Sequence, residues 1–200
     1  MTQSIEKQDL QVSQDITPYV QNYSIQYQLK HIILDYMFRN ISFYGDKDKI
    51  RSLTKKDYEQ ISKATHTSIT IVHSAVSTFL VNLIRMKRFF KIHSYNSQLK
   101  SPIRKLRVLL HKFHRIAPVF DYRRAKENAR ILNIKMNLRF FRPSIFTQLA
   151  IIIFITDVKD THKTKPIIQT NLRIFSDCSA YAFHTARNKL GLSPQELRKN

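Results

Sequence analysis

Residues 144–158, SIFTQLAIIIFITDV, decide how the rest of the chain must be arranged. Residues 149–155, LAIIIFI, are apolar without a break, and the polar side chains lie only toward the ends. A helix that is hydrophobic all round has no face to offer water, so it belongs at the centre of a helical domain. It is far too short to span a bilayer, which takes about 20 apolar residues.

Further helices are expected on both sides of it. Upstream are 103–117, IRKLRVLLHKFHRIA, and 121–139, DYRRAKENARILNIKMNLR; downstream are 165–175, KPIIQTNLRIF, and 179–191, SAYAFHTARNKLG. Pro118, Pro143 and Pro166 fall near the boundaries, where a missing N–H does least harm. Gly191 is placed to close the last helix as a C-cap. With 2 Gly and 6 Pro in 200 residues, there is little punctuation for hairpins or phosphate-cradling loops. The fold class expected is all-α.

The first hundred residues read as a separate unit. Residues 1–22 are polar, carry acids, are no secretory signal, and are expected to form a flexible arm. Residues 24–40 have Ile25, Leu29, Ile32, Ile33, Tyr36 and Met37 at helical spacing. Thr54 is placed to cap a helix KKDYEQISKAT, and Ser68 a second one, with Val72, Ala75, Val76, Phe79, Leu80 and Leu83 on its apolar face. Helix, three-residue turn, capped helix is helix-turn-helix grammar. The following IRMKRFFKIHS reads as a helix end or an extended wing, so residues 23–93 are expected to be winged-helix-like. Residues 94–102, polar and ending in Ser-Pro, are the expected linker to a helical domain at 103–195, with 196–200 as a tail.

The formal net charge is +20, and 15 of those charges fall in residues 85–142, where 17 Lys and Arg meet only Asp121 and Glu127. A surface this basic repels itself unless something acidic covers it, and nucleic acid is the commonest cover. Ile103, Leu106, Leu109, Leu110 and Phe113 form one stripe, while Arg104, Lys105, Arg107 and Lys112 lie mostly off it. The expected phosphate-gripping residues are Arg85, Lys87, Arg88, Lys91, Arg104, Lys105, Arg107, Arg123, Arg124, Lys126, Arg139 and Arg142. Base edges would be probed by short donors and acceptors on the second helix of each helix-turn-helix. These are Ser68, Thr70, His73, Ser74 and Ser77 in the first, and Tyr181, His184, Thr185 and Asn188 in the second.

Residues 142–194, RPSIFTQLAIIIFITDVKDTHKTKPIIQTNLRIFSDCSAYAFHTARNKLGLSP, resemble the second half of a cyclin-like repeat of transcription factor IIB and the archaeal transcription factor B. An apolar helix (145–156), a charged loop (157–165) and a helix-turn-helix (166–190) that closes on LGL (190–192) occur in the family's order. LLHKFHRIA and KENARILNIKMNLRFFRPS stand where the repeat's first two helices belong. Asp177 and His66 occupy turn positions where the pattern has glycine. One cysteine cannot build the family's zinc ribbon, and a second repeat is absent. The resemblance implies a five-helix cyclin-like domain, DNA binding near promoters, and contact with RNA polymerase or the TATA-binding protein.

Catalytic chemistry is not expected. His184 and Arg187 match the H-x-x-R of tyrosine recombinases, but no tyrosine follows Arg187 to act as nucleophile. His111 and His114 share a helix face without a third ligand nearby, so no metal is expected, and no cofactor either. Cys178 reads as a small buried hydrophobe. The expected function is transcription initiation or regulation on duplex DNA, without a membrane, in the nucleoid or nucleus. The alternatives are an interaction platform for polymerase or RNA, and a replication or maintenance protein of a mobile element.

Overall fold

The computed structural model describes residues 26–43, 52–96, 101–160, 162–163, 165–175, 179–193 and 197, with side chains left out for 91–96 and 175. The arm at 1–22, residues 97–100 of the linker, the turn residues Asp177 and Cys178, and all of the 196–200 tail but Leu197 lie outside them. Among the described residues there are eight helices and no strand, so the chain is all-α. They are α1 (26–40), α2 (Lys55–Thr65), α3 (Ile69–Asn96), α4 (Pro102–Ile116), α5 (Tyr122–Leu138), α6 (Ile145–Val158), α7 (Gln169–Leu172) and α8 (Ala180–Lys189).

The apolar α6 is the central helix. Every residue from Phe146 to Asp157 is buried, and α4, α5, α7 and α8 all pack on it. Local chemistry sets the helix starts. Thr54 and Asp57 make a reciprocal capping box on α2, Ser68 Oγ accepts from Ile71 N at 3.4 Å, and Ser179 Oγ from Ala182 N at 3.3 Å. Gly191 sits at φ 61 just past α8, as a glycine C-cap should.

Three sequence expectations need correction. First, of the two readings of residues 84–94 the helix end holds and the wing does not: they belong to α3, which runs on to Asn96. The buried stripe Val72, Val76, Phe79, Leu83, Met86 and Phe90 advances in steps of four and three, a helical period that never changes to the alternation a strand would need. Over Ile69–Phe90 α3 is also long and apolar enough, by length and composition alone, to cross a membrane; here that stripe faces the core. Second, the helix expected at 165–175 shrinks to α7 and one 3-10 turn, Arg173–Phe175. Residues 165–168 stay outside α7: Ile167 N donates to Asp157 Oδ2 at 2.7 Å, Ile168 N donates to Phe38 O at 3.2 Å, and Ile168 is non-helical at ψ 123 as the N-cap of α7. Third, the inner face of α1 is partly shifted: Ile33 and Met37 are buried as expected, Leu34 and Phe38 join them, and Ile32 is 48 % exposed.

The buried side chains on either side of residues 94–102 form one hydrophobic cluster. In it α1 is the keystone. Phe38 meets Phe79 of α3 edge-on at 5.6 Å. Arg39 is buried and pairs with Asp157 of α6 at 2.9 Å and with Asp35 at 3.1 Å. Asn171, wholly buried in α7, closes the end of α1: its Nδ2 donates to Phe38 O at 2.9 Å and Ile41 O at 2.7 Å, and its Oδ1 accepts from Phe43 N at 2.9 Å. Asn171→Ala strands Ile41 O and Phe43 N, while Phe38 O keeps Ile168 N as a donor, and is expected to cost on the order of 3 kcal/mol of stability. Urea denaturation followed by circular dichroism reads this; a loss under about 1 kcal/mol would mean that solvent replaces the amide.

Candidate nucleic-acid interface

α4 and α5 lie side by side. Their inner stripes, Leu106, Leu109, Leu110 and Phe113 on one and Ala125, Ala129, Leu132 and Met136 on the other, are buried. Asp121 caps α5 by accepting from Arg123 N at 2.7 Å and Arg124 N at 3.1 Å. With the apolar stripes turned inward, the charged positions of both helices must face out. They frame a groove of about 590 Å³ lined by Arg107, Tyr122, Arg123, Lys126, Glu127 and Arg130. Lys126 Nζ lies 5.2 Å over the Tyr122 ring, and none of the four cations forms an ion pair among the described residues.

Two of these residues, Arg107 and Arg123, together with Lys126, were expected phosphate contacts. Arg124 was as well, but it turns to the other side of α5, within 3.8 Å of Asp121 and 4.0 Å of Asp160, so its charge is partly matched. Arg130 was missed. It lies seven residues from Arg123 and four from Lys126, on the same face, and following that spacing past Lys126 would have found it. Arg85, Arg88, Arg104, Arg139 and Arg142 are exposed on α3, α4 and the turn after α5, and Lys87 and Lys105 are half-buried. Arg142 donates to Asn137 Oδ1 at 2.7 Å. The side chain of Lys91 lies outside the described residues.

The expected base-probing residues of α3 are all exposed, but not all free to reach a base. Ser68 is occupied as the cap, and His73 stacks on Tyr58 with ring centroids 3.6 Å apart. Ser74 lines a hollow of about 540 Å³ with Gln26, Tyr27, Lys30, Ile71 and Arg115, so the start of α1 stands beside it. Thr70 and Ser77 remain open to solvent. The turn before α3 holds His66 at φ 52, the left-handed conformation for which glycine is usual.

On α8, Tyr181 is 78 % exposed, His184 and Asn188 are exposed, and Thr185 is half-buried. Phe183, on the opposite side, is wholly buried and meets Phe154 of α6 edge-on at 6.4 Å. Partial burial, with the Arg187 and Arg173 charges nearby, holds the His184 imidazole below its ordinary pKa, so it offers one donor and one acceptor at neutral pH. Arg187 is a packing residue: its guanidinium lies 4.9 Å over Phe154 and donates to Gln169 Oε1 at 3.2 Å.

The His111 and His114 rings both lie against Tyr122, at 5.6 and 5.3 Å, and no metal-binding group of three His, Cys, Asp or Glu occurs among the described residues. Comparison of the chain with family models, with curated proteins and with solved structures finds no match.

Proposed function

We propose that the chain binds duplex DNA and acts in transcription initiation or regulation. The groove between α4 and α5 carries this reading. Four cations with no ion pair among the described residues line a channel with one carboxylate, on a pair of packed helices, and such a channel suits a sugar-phosphate backbone better than a small ligand. The open side chains of α3 and α8 (Thr70, Ser77, Tyr181, His184 and Asn188) suit base edges, because short polar groups let a helix lie close in the major groove. A link to promoters rests on the resemblance of 142–194 to the cyclin-like repeat of transcription factor IIB. Packing of α4, α5, α7 and α8 around α6 is in keeping with that resemblance. RNA polymerase and the TATA-binding protein are the partners it implies.

The test is a binding titration on duplex DNA and on single-stranded RNA of equal phosphate count, between 50 and 200 mM salt. For six or more phosphate contacts the duplex affinity should fall about a thousandfold across that range. An affinity indifferent to salt, or a clear preference for the RNA, would overturn the reading in favour of an interaction platform.

A further inference from the structure

We propose that Leu138 and Phe140, at the end of α5, form a wedge that enters a base step of duplex DNA from the minor groove and kinks it. The proposal rests on the reading of the chain as a duplex-binding protein and adds a means of deforming that duplex.

The backbone gives the first reason. α5 closes with two hydrogen bonds, Phe141 N to Met136 O at 3.1 Å and Phe140 N to Asn137 O at 3.3 Å, and this closure sets Phe140 at φ 49. α8 closes the same way, with Leu192 N to Arg187 O at 3.0 Å and Gly191 N to Asn188 O at 3.0 Å, and there the left-handed position is glycine. Glycine is the residue such closures select, because a Cβ in that conformation crowds the backbone. An aromatic side chain at this position is an outlier that local stability does not favour.

Exposure gives the second. Phe140 is 98 % exposed and Leu138 73 %, so no packing within the fold offsets the conformational cost or the hydration of the ring. Ile134, at 57 %, precedes them on the same face of α5. Residues 123, 126, 130, 134 and 138 fall within one sector of the helix. The groove cations and the apolar tip are therefore aligned, Arg130 being about 12 Å from Leu138 along the axis.

The surrounding charge identifies the partner. No acidic residue occurs between Glu127 and Asp157, while Arg139 and Arg142 flank the tip, both exposed. Lys189 of α8 stands 4.9 Å over the ring of neighbouring Phe141. Apolar side chains ringed by cations fit stacked bases lying between two phosphate strands. Phe and Leu are residue types that unstack a step when inserted, and the flanking arginines would hold the phosphates on either side.

The experiment measures binding by anisotropy, and bending by energy transfer between the ends of a duplex of about 30 base pairs. It compares the wild type with Phe140→Gly and Phe140→Trp. The wild type should shorten the end-to-end distance and prefer a duplex with one mismatched, easily unstacked step by about tenfold or more. Phe140→Gly should keep its affinity for the intact duplex within about threefold, yet lose the bend and the mismatch preference; Phe140→Trp should retain both. Phe140→Gly relieves the left-handed strain, so its thermal midpoint should stay level or rise, which separates the result from misfolding. Bending by Phe140→Gly equal to the wild type, or wild-type binding without bending, would overturn the wedge and leave the DNA-binding reading standing. Absence of any duplex binding would overturn both. Phe140-dependent capture of phosphatidylserine vesicles with no DNA bend would assign the tip to lipid and overturn the wedge.

Discussion

Arg39→Ala is expected to cost about 3–5 kcal/mol of stability, a large share of the roughly 5–15 kcal/mol that holds an ordinary domain folded, and would be read as a shift in the urea midpoint. Arg39 is only 5 % exposed and its guanidinium serves four acceptors. It pairs with Asp157 at 2.9 Å and Asp35 at 3.1 Å, donates to Lys165 O at 2.6 Å and reaches Val119 O at 3.5 Å. One side chain thereby joins α1, α6, the segment before α5 and the segment before α7. Removing it leaves Asp157, 7 % exposed, without its counter-charge. Burial already pushes that carboxyl above its ordinary pKa, against the opposing pull of the Ile167 N–H and Arg39. Arg39→Lys should recover little, because an ammonium cannot present a planar fork to acceptors in several directions. Arg39→Met combined with Asp157→Asn should recover more than either single change. It removes the bare buried charge while the amide oxygen still accepts from Ile167 N. A loss under about 1 kcal/mol for Arg39→Ala would mean that water reaches the network and the charges are not buried in effect.

That network shows where reading the sequence stops. The centre of the fold was legible because α6 has no polar face, and its neighbours because prolines and capping residues mark their ends. Thr54, Ser68, Ser179 and Gly191 act within one turn of their own position, so local pattern suffices. Arg39 and Asn171 act across 118 and about 130 residues of chain, and an arginine or asparagine destined for the interior looks like any other. Their side chains bind α1 to the later helices, whereas composition suggested a linker at 94–102. The wing failed for a different reason: Arg and Lys at 85, 87, 88 and 91 masked the continuing stripe of Met86 and Phe90. In the groove, proximity in sequence misled, since Arg123 and Arg124 are adjacent and point about 100° apart on a helix. Phe140 was not legible at all, because the usual rule places glycine at that turn.

Replacing Arg107, Arg123, Lys126 and Arg130 together by Gln should cut duplex affinity on the order of a hundredfold or more at 50 mM salt. The salt dependence gives a sharper reading than the affinity. Each phosphate contact adds about 0.9 to the slope of log affinity against log salt, so losing four should lower it by about 3.6. Between 50 and 200 mM the variant should therefore lose roughly 150-fold less affinity than the wild type. All four side chains are outside the hydrophobic cluster and no ion pair holds them among the described residues, so helicity and urea midpoint should hardly move. Arg124→Gln is the internal control. Its charge already faces Asp121 and Asp160, so the slope should fall by less than for any one groove cation. Glu127 supplies a test of sign. It is the sole carboxylate in the groove, and a phosphate entering there must approach it. Glu127→Gln should tighten binding and steepen the salt slope, the reverse of every other change. If Glu127→Gln weakens binding while the quadruple variant keeps the wild-type slope, the phosphates lie elsewhere on the basic surface and the groove is not their track.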